Sequence, residues 1–339
     1  MKQMICPACK KEVSLPENTQ GGFCPHCGAA LQPPAQQAKD AMQTGDFASA
    51  ARYLQQALGE NPKDYEANFL QGMILAQTTD LLRREFGEFC RYMEGAFAAL
   101  EGQEEAIQVE KTLEYADQLC DYAQAERAKS DLSAPGEDEL LAWRGQICRI
   151  AALYYAAFQG FTPAFLKNHP EYMQRKAELA ERVFALCGET TEPIWYVQEV
   201  ARGRDQIALE EPFGLTPKNC DVMRRSCMDY LKASVPELAD RLWEAPLQQW
   251  LQKAQELFNQ KRRQYRRMQR GMGIIAAVAL AIVACFAADS YLEGLLIMLP
   301  PMVIFFALAT LPNYFFHVAP YRKLLRKIEK LVEQEMAKK

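Results

Sequence analysis

Apolar residues recur at three- and four-residue intervals through most of the chain. Val109, Leu113, Ala116, Leu119 and Ala123 form one such row. Leu140, Trp143, Ile147, Ile150, Ala151, Tyr154 and Phe158 form a second, and Leu247, Trp250, Leu251, Ala254, Leu257 and Phe258 a third. A stripe of this period predicts helices that each bury one face. Thr162-Pro163, Thr216-Pro217 and Ala245-Pro246 read as helix starts, because proline suits a first turn. Breaks fall at SDLSAPGEDE (130–139), GETTEP (188–193) and EEPFGLTP (210–217). Strand signals are scarce between 35 and 270, so the expectation there is a bundle or solenoid of about nine helices.

The pattern changes near residue 271. GMGIIAAVALAIVACFAA (271–288) and LLIMLPPMVIFFALATLPNYFF (295–316) carry no charge, and only DSYLEG separates them. Runs of about 20 apolar residues predict a two-helix transmembrane hairpin, with spans at 271–288 and 295–316. Six cations (Lys261, Arg262, Arg263, Arg266, Arg267, Arg270) precede the first run, and Arg322, Lys323, Arg326 and Lys327 follow the second. The loop between has only Asp289 and Glu293, so the positive-inside rule places both termini in the cytoplasm of a plasma-membrane protein. Tyr314, Phe315, Phe316 and Tyr321 then suit an interfacial belt, while Pro300-Pro301 and Pro312 kink or shorten the second helix. Neither run holds an ionisable residue, which favours an anchor over a transport path.

In the last segment Leu324, Ile328, Leu331 and Glu335 share a helical face, with Leu325, Val332 and Met336 adjoining. Such a basic amphipathic helix either lies on anionic lipid or packs against the rest of the chain. Both readings stay open.

Charge is segregated. Residues 32–260 hold 23 Lys and Arg against 36 Asp and Glu, whereas 261–270 is purely basic and 318–339 has seven cations and three anions. An acidic body repels phosphate, so nucleic acid is disfavoured as a partner. No G-x-G-x-x-G, Walker loop, H-E-x-x-H or G-x-S-x-G occurs, and the only histidines are His26, His169 and His317. The reading is therefore not an enzyme, although a site without a recognisable motif in the helical body is a third possibility. No apolar signal core precedes the first cysteine pair. Seven further cysteines (Cys90, Cys120, Cys148, Cys187, Cys220, Cys227, Cys285) are scattered, and read as reduced, small buried hydrophobes.

The other four are ordered. Cys6, Cys9, Cys24 and Cys27 make C-x2-C-x14-C-x2-C, close to a four-cysteine zinc pattern. Four thiolates complete a closed tetrahedral shell, so the expectation is one structural Zn2+ with no position open for catalysis. The segment is too short to bury a core, and metal binding supplies its folding energy. A thioredoxin-type redox pair is argued against by two matched pairs so close together. His26 lies between ligands and is expected to point outward. In detail, CPAC followed by KKEV, and FCPHCG followed by AAL, resemble a zinc ribbon.

GDFASAARYLQQALGENP (45–62) resembles the second half of a tetratricopeptide repeat: Gly45, Phe47, Ala50, Leu54, Ala57, Leu58 and Pro62 sit at its motif positions. YEANFLQGMILA supplies a following first helix, with Ala67 and Gly72 in register. Arg84 and Arg91 then depart from the motif, so the match spans about one and a half repeats, fewer than the three that normally support a solenoid. Such repeats hold protein partners rather than perform chemistry.

The expected fold is thus mainly α: a zinc ribbon (1–31), a tetratricopeptide-like region (32–129), a helical bundle (130–260), a basic collar with the hairpin (261–317), and a basic amphipathic tail (318–339). The expected function is a membrane-anchored cytoplasmic adaptor that binds a protein partner through its acidic body. The alternative is a membrane-tethered regulator whose ribbon contacts nucleic acid or the transcription apparatus. Partner identity, any small-molecule substrate and the oligomeric state are left open.

Overall fold

Asp46 and Asp64 each open a helix in the same way. Their carboxylates accept from the backbone N–H of Ser49 and Ala67, at 3.0 and 2.9 Å, relieving N–H groups that a helix start leaves bare. The helices they cap are α2 (Phe47–Glu60) and α3 (Tyr65–Thr78). Before them, α1 (Pro34–Gln43) turns into α2 through Gly45, whose φ of 78° is the left-handed region that favours glycine. The computed structural model describes residues 2–6, 8–15, 22–79, 85–129, 137–192, 198–200, 205–207, 209, 211–286 and 318–337. They fall into two units, Met1–Thr191 with Thr216–Pro236, and Glu192–Leu215 with Glu237–Lys339.

The first unit begins with two antiparallel hairpins, β1 (Lys2–Ile5) with β2 (Glu12–Leu15) and β3 (Gly22–Phe23) with β4 (Ala30–Leu31). After α3 come α4 (Glu85–Leu100), α5 (Glu105–Ala128), α6 (Glu137–Gly160), α7 (Pro163–Asn168), α8 (Met173–Glu189) and α9 (Lys218–Ser234). Helices pair in sequence order: α1 with α2, α3 with α4, α5 with α6, and α8 with α9. Small residues set the spacing. Ala50, Leu54 and Ala57 of α2 are buried against Ala38, Ala67 and Ile74, with Phe47 and Leu58 packed beside them. A Cβ on Gly72 would stand 2.5 Å from the end of the flexible Met93 side chain, which would have to shift. Further on, α6 touches α4, α5, α8 and α9. It is buried on every side from Ile150 to Phe158, and its alanines (151, 152, 156 and 157) give four neighbours room.

The second unit holds β5 (Gln198–Val200) paired antiparallel with β6 (Asp205–Ile207), a hairpin that the helical periodicity did not predict. Its main elements are α10 (Pro236–Phe286), which runs for 51 residues, and α11 (Ala319–Ala337). Pro246 does not start a helix as expected. It lies inside α10, where Leu247, Trp250 and Ala254 bury against Tyr321, Leu324, Ile328 and Val332 of α11. That packing outweighs the lost backbone hydrogen bond.

The amphipathic tail is therefore settled as a packed helix. Its apolar stripe is covered by α10, the Trp243 indole N–H donates to the Glu335 carbonyl at 3.3 Å, and the Lys261 ammonium stands 5.2 Å from the Tyr321 ring centre. Tyr321 is a core residue of this pair and not part of an interfacial belt.

The transmembrane hairpin is corrected. No helix among the described residues is long and apolar enough to cross a membrane. The first apolar run, as far as it is described, is the end of α10. The second run, 295–316, lies outside the described residues, as do Pro300, Pro301, Pro312, Tyr314, Phe315 and Phe316. The basic collar, 261–270, lies within α10 as part of one continuous helix.

Candidate metal centre and interaction face

Each hairpin of the ribbon presents its cysteines on a tight turn, and the two turns are built alike. Lys10 N–H donates to the Cys6 carbonyl at 2.9 Å and Cys6 N–H to the Lys11 carbonyl at 2.9 Å. In the second turn Gly28 N–H donates to the Cys24 carbonyl at 2.8 Å and Cys24 N–H to the Ala29 carbonyl at 2.7 Å. The residue after each second cysteine is left-handed: Lys10 at φ 60° and Gly28 at φ 70°. Such repetition aims all four sulfurs at one point.

The Cys6 and Cys27 sulfurs are 3.6 Å apart, as are those of Cys9 and Cys24, and all four lie within 4.8 Å of one another. Tetrahedral zinc with sulfurs at about 2.3 Å requires edges of about 3.8 Å. The fit is close. His26 is exposed and stands outside the cluster.

The electrostatics point the same way. The Cys9 backbone N–H and the neighbouring thiols hold the Cys6 thiol down to about 6, against the effect of burial. The Cys27 thiol goes up to about 12: the Ala29 N–H lowers it, but burial and the other three sulfurs outweigh that pull. Four sulfurs this close cannot all be thiolates unless a cation sits among them. Among the described side chains, the hydrophobic core beneath them holds Cys6, Val13, Cys24 and Leu31, with Cys9 and Ala29 at its edge. A segment this short buries too little apolar surface to hold two hairpins together alone.

A second face crosses α1, α3 and α5. Glu66 of α3 takes the Lys39 ammonium of α1 at 2.5 Å, and its charge also reaches Lys111 of α5. The Lys111 ammonium itself pairs with Glu114, which raises it above the usual lysine range. Under this polar row Tyr115 stacks on Phe69 with ring centres 3.8 Å apart. Its buried hydroxyl has no hydrogen-bond partner among the described residues, and burial, ahead of the charge of Glu66, pushes it above the usual phenol range. Sequence reasoning did not single out this face. Lys39, Glu66 and Lys111 are far apart in the chain, and only the pairing of successive helices brings them side by side.

Residues 36–83 match the family model described as Tetratricopeptide repeat, a span that takes in most of α1, all of α2 and all of α3. No curated protein and no solved structure matches the chain. Repeats of this family mediate protein–protein contacts, so the chain carries an interaction scaffold.

Proposed function

We propose that this protein is a non-catalytic adaptor. A protein partner docks across α1, α3 and α5, and an N-terminal ribbon is held in shape by one zinc ion on Cys6, Cys9, Cys24 and Cys27. The observation that carries this reading is the tetratricopeptide match over 36–83, because the matched helices supply two of the three that form the polar face. Zinc, when bound, supplies four metal–sulfur bonds and cancels the repulsion among the thiolates; with four sulfur ligands the shell is closed to substrate. The alternating Lys39, Glu66 and Lys111 suit a partner segment with both signs of charge.

Charge reversal tests this directly. In the full chain, Lys39→Glu combined with Lys111→Glu is expected to lower recovery of a discrete crosslinked partner by about tenfold, since each change puts a like charge beside Glu66. Arg52→Glu, an exposed change on α2, should leave recovery unchanged. Equal recovery from the double variant and the wild type would remove the face from the account.

A further inference from the structure

Charge and apolar surface follow one another in a fixed order along α10. Its turns from Lys261 to Arg270 hold six cations and no carboxylate, and those from Gly271 to Val283 hold no charge at all. In these later turns Ile274, Ile275, Val278, Ile282 and Val283 are exposed, the first two at 66% and 69%. Large apolar residues exposed singly are normal on a protein surface. Five of them within residues 274–283 make a patch, and a patch rimmed by charge marks an interaction site.

The partner helix widens the basic end. α11 runs antiparallel to α10: the Trp243 indole N–H reaches the Glu335 carbonyl at 3.3 Å, and the Lys261 ammonium stands 5.2 Å from the Tyr321 ring centre. The first turns of α11 therefore lie beside the turn where the basic collar begins. They carry Arg322, Lys323, Arg326 and Lys327, all exposed, and no carboxylate before Glu329. The apolar stripe of α11 is turned onto α10, so these cations face outward in its place.

Most occupants answer only half of such a surface. A nucleic acid or an acidic protein segment would neutralise the cations, yet leave the patch at 274–283 in water. The same turns of a second copy would cover the patch but bring no negative charge. An anionic lipid surface answers both, because its headgroup charge adjoins hydrocarbon in the order that α10 presents.

We propose that this end of the α10–α11 pair docks on an anionic lipid surface. The collar at 261–270 lies at the headgroups with the α11 cations just behind it, and the turns from Ile274 to Val283 enter the hydrocarbon of one leaflet. The contact asks for no crossing. It uses none of the residues of the protein-docking face, so either reading can fail while the other stands.

The test is flotation of the full-length, zinc-loaded protein with vesicles of phosphatidylcholine alone, or with about one-third phosphatidylserine. Binding to the anionic vesicles should be at least about a hundredfold tighter than to the neutral ones, and should weaken as salt rises. Arg263→Gln with Arg266→Gln and Arg267→Gln should lower affinity for anionic vesicles by about a hundredfold, roughly fivefold for each charge. Ile274→Gln with Ile275→Gln and Val278→Gln should lower affinity for both vesicle types by at least about tenfold. All six side chains are exposed, so neither variant disturbs the core, and unchanged far-UV circular dichroism checks this. A photoreactive side chain in place of Val278 should give phospholipid adducts, and one in place of Leu141, exposed on α6, should give none. Equal binding to the two vesicle types, or wild-type binding by the apolar variant, would overturn the proposal. So would salt-sensitive binding of duplex DNA or RNA, tighter than vesicle binding, that the arginine variant loses and the apolar variant keeps.

Discussion

Replacing Cys24 by serine is expected to release the metal and unfold the two N-terminal hairpins, while α1 to α11 keep their structure. The reasoning rests on how little else holds the ribbon. Among its described side chains the buried apolar residues besides cysteine are Val13 and Leu31, and two of the four strands are two residues long. Structural zinc contributes about 10–16 kcal/mol in small four-ligand domains, far more than such a core can replace. Serine is nearly isosteric with cysteine but is a poor zinc ligand at neutral pH, so the change removes a bond rather than a shape. Native mass spectrometry of the full chain should show one zinc on the wild type and none on Cys24→Ser. Amide exchange should become fast over residues 2–31 alone. His26→Ala should change neither readout, because His26 is exposed and apart from the sulfurs. A variant that stays protected without metal would end the assignment.

The second large effect concerns Lys176. This lysine is 6% exposed, and among the described residues no carboxylate pairs with it. Its ammonium donates to the Phe161 carbonyl at 2.5 Å and faces the rings of Phe158 and Tyr230 at 4.6 and 4.8 Å. Those contacts only partly replace water, and burial lowers it from 10.5 to about 8. The folded chain therefore binds this proton more weakly than the unfolded chain. Between pH 8 and 10.5 the unfolded state holds more of the proton, and stability contributed by this group rises with pH. Below pH 8 the penalty is constant, at about 3 kcal/mol. Lys176→Met keeps the stem and drops the charge, so it should stabilise the protein at pH 7, by up to that amount less the lost hydrogen bond and ring contacts. In urea unfolding, the advantage of the variant over the wild type should shrink as pH rises from 8 towards 10.5. Taking the difference cancels the buried tyrosines and thiols that titrate in the same range. An advantage that does not change with pH would show that Lys176 is buried at no electrostatic cost.

Much of the helical unit was legible in the sequence, because its signals are local. The rows at 109–123 and 140–158 lie within α5 and α6, and the residues that carried the repeat resemblance, Ala50, Leu54 and Ala57, are the ones buried between α1, α2 and α3. The cysteine spacing was legible for the same reason: two short turns place two sulfurs each, and only one folding step joins them. What failed depends on partners distant in the chain. Pro246 looks like a helix start until Trp250 and Leu247 are seen to pack on α11. The tail looked equally suited to lipid or to protein, since an apolar stripe does not name what covers it. The run at 271 read as a span fed directly by the last helix of the body; the continuity holds, since α10 runs unbroken from Pro236 to Phe286, but hydropathy averaged over a window does not by itself make a span. Cys148, Cys187 and Cys220 are buried as their apolar surroundings suggested, but the contact of the Cys148 and Cys220 sulfurs gave no local signal, since α6 and α9 had to assemble first.

The central claim is that a protein partner sits on the face formed by α1, α3 and α5. The most direct measurement is site-specific photocrosslinking in the intact protein, with the reactive side chain at Tyr65 on that face or at Gln56 on the exposed side of α2. The account predicts a discrete protein adduct from position 65, none from position 56, and loss of the adduct when Lys39 and Lys111 are both changed to glutamate. Equal adducts from the two positions, or none from 65 while the protein is folded and zinc-loaded, would contradict it.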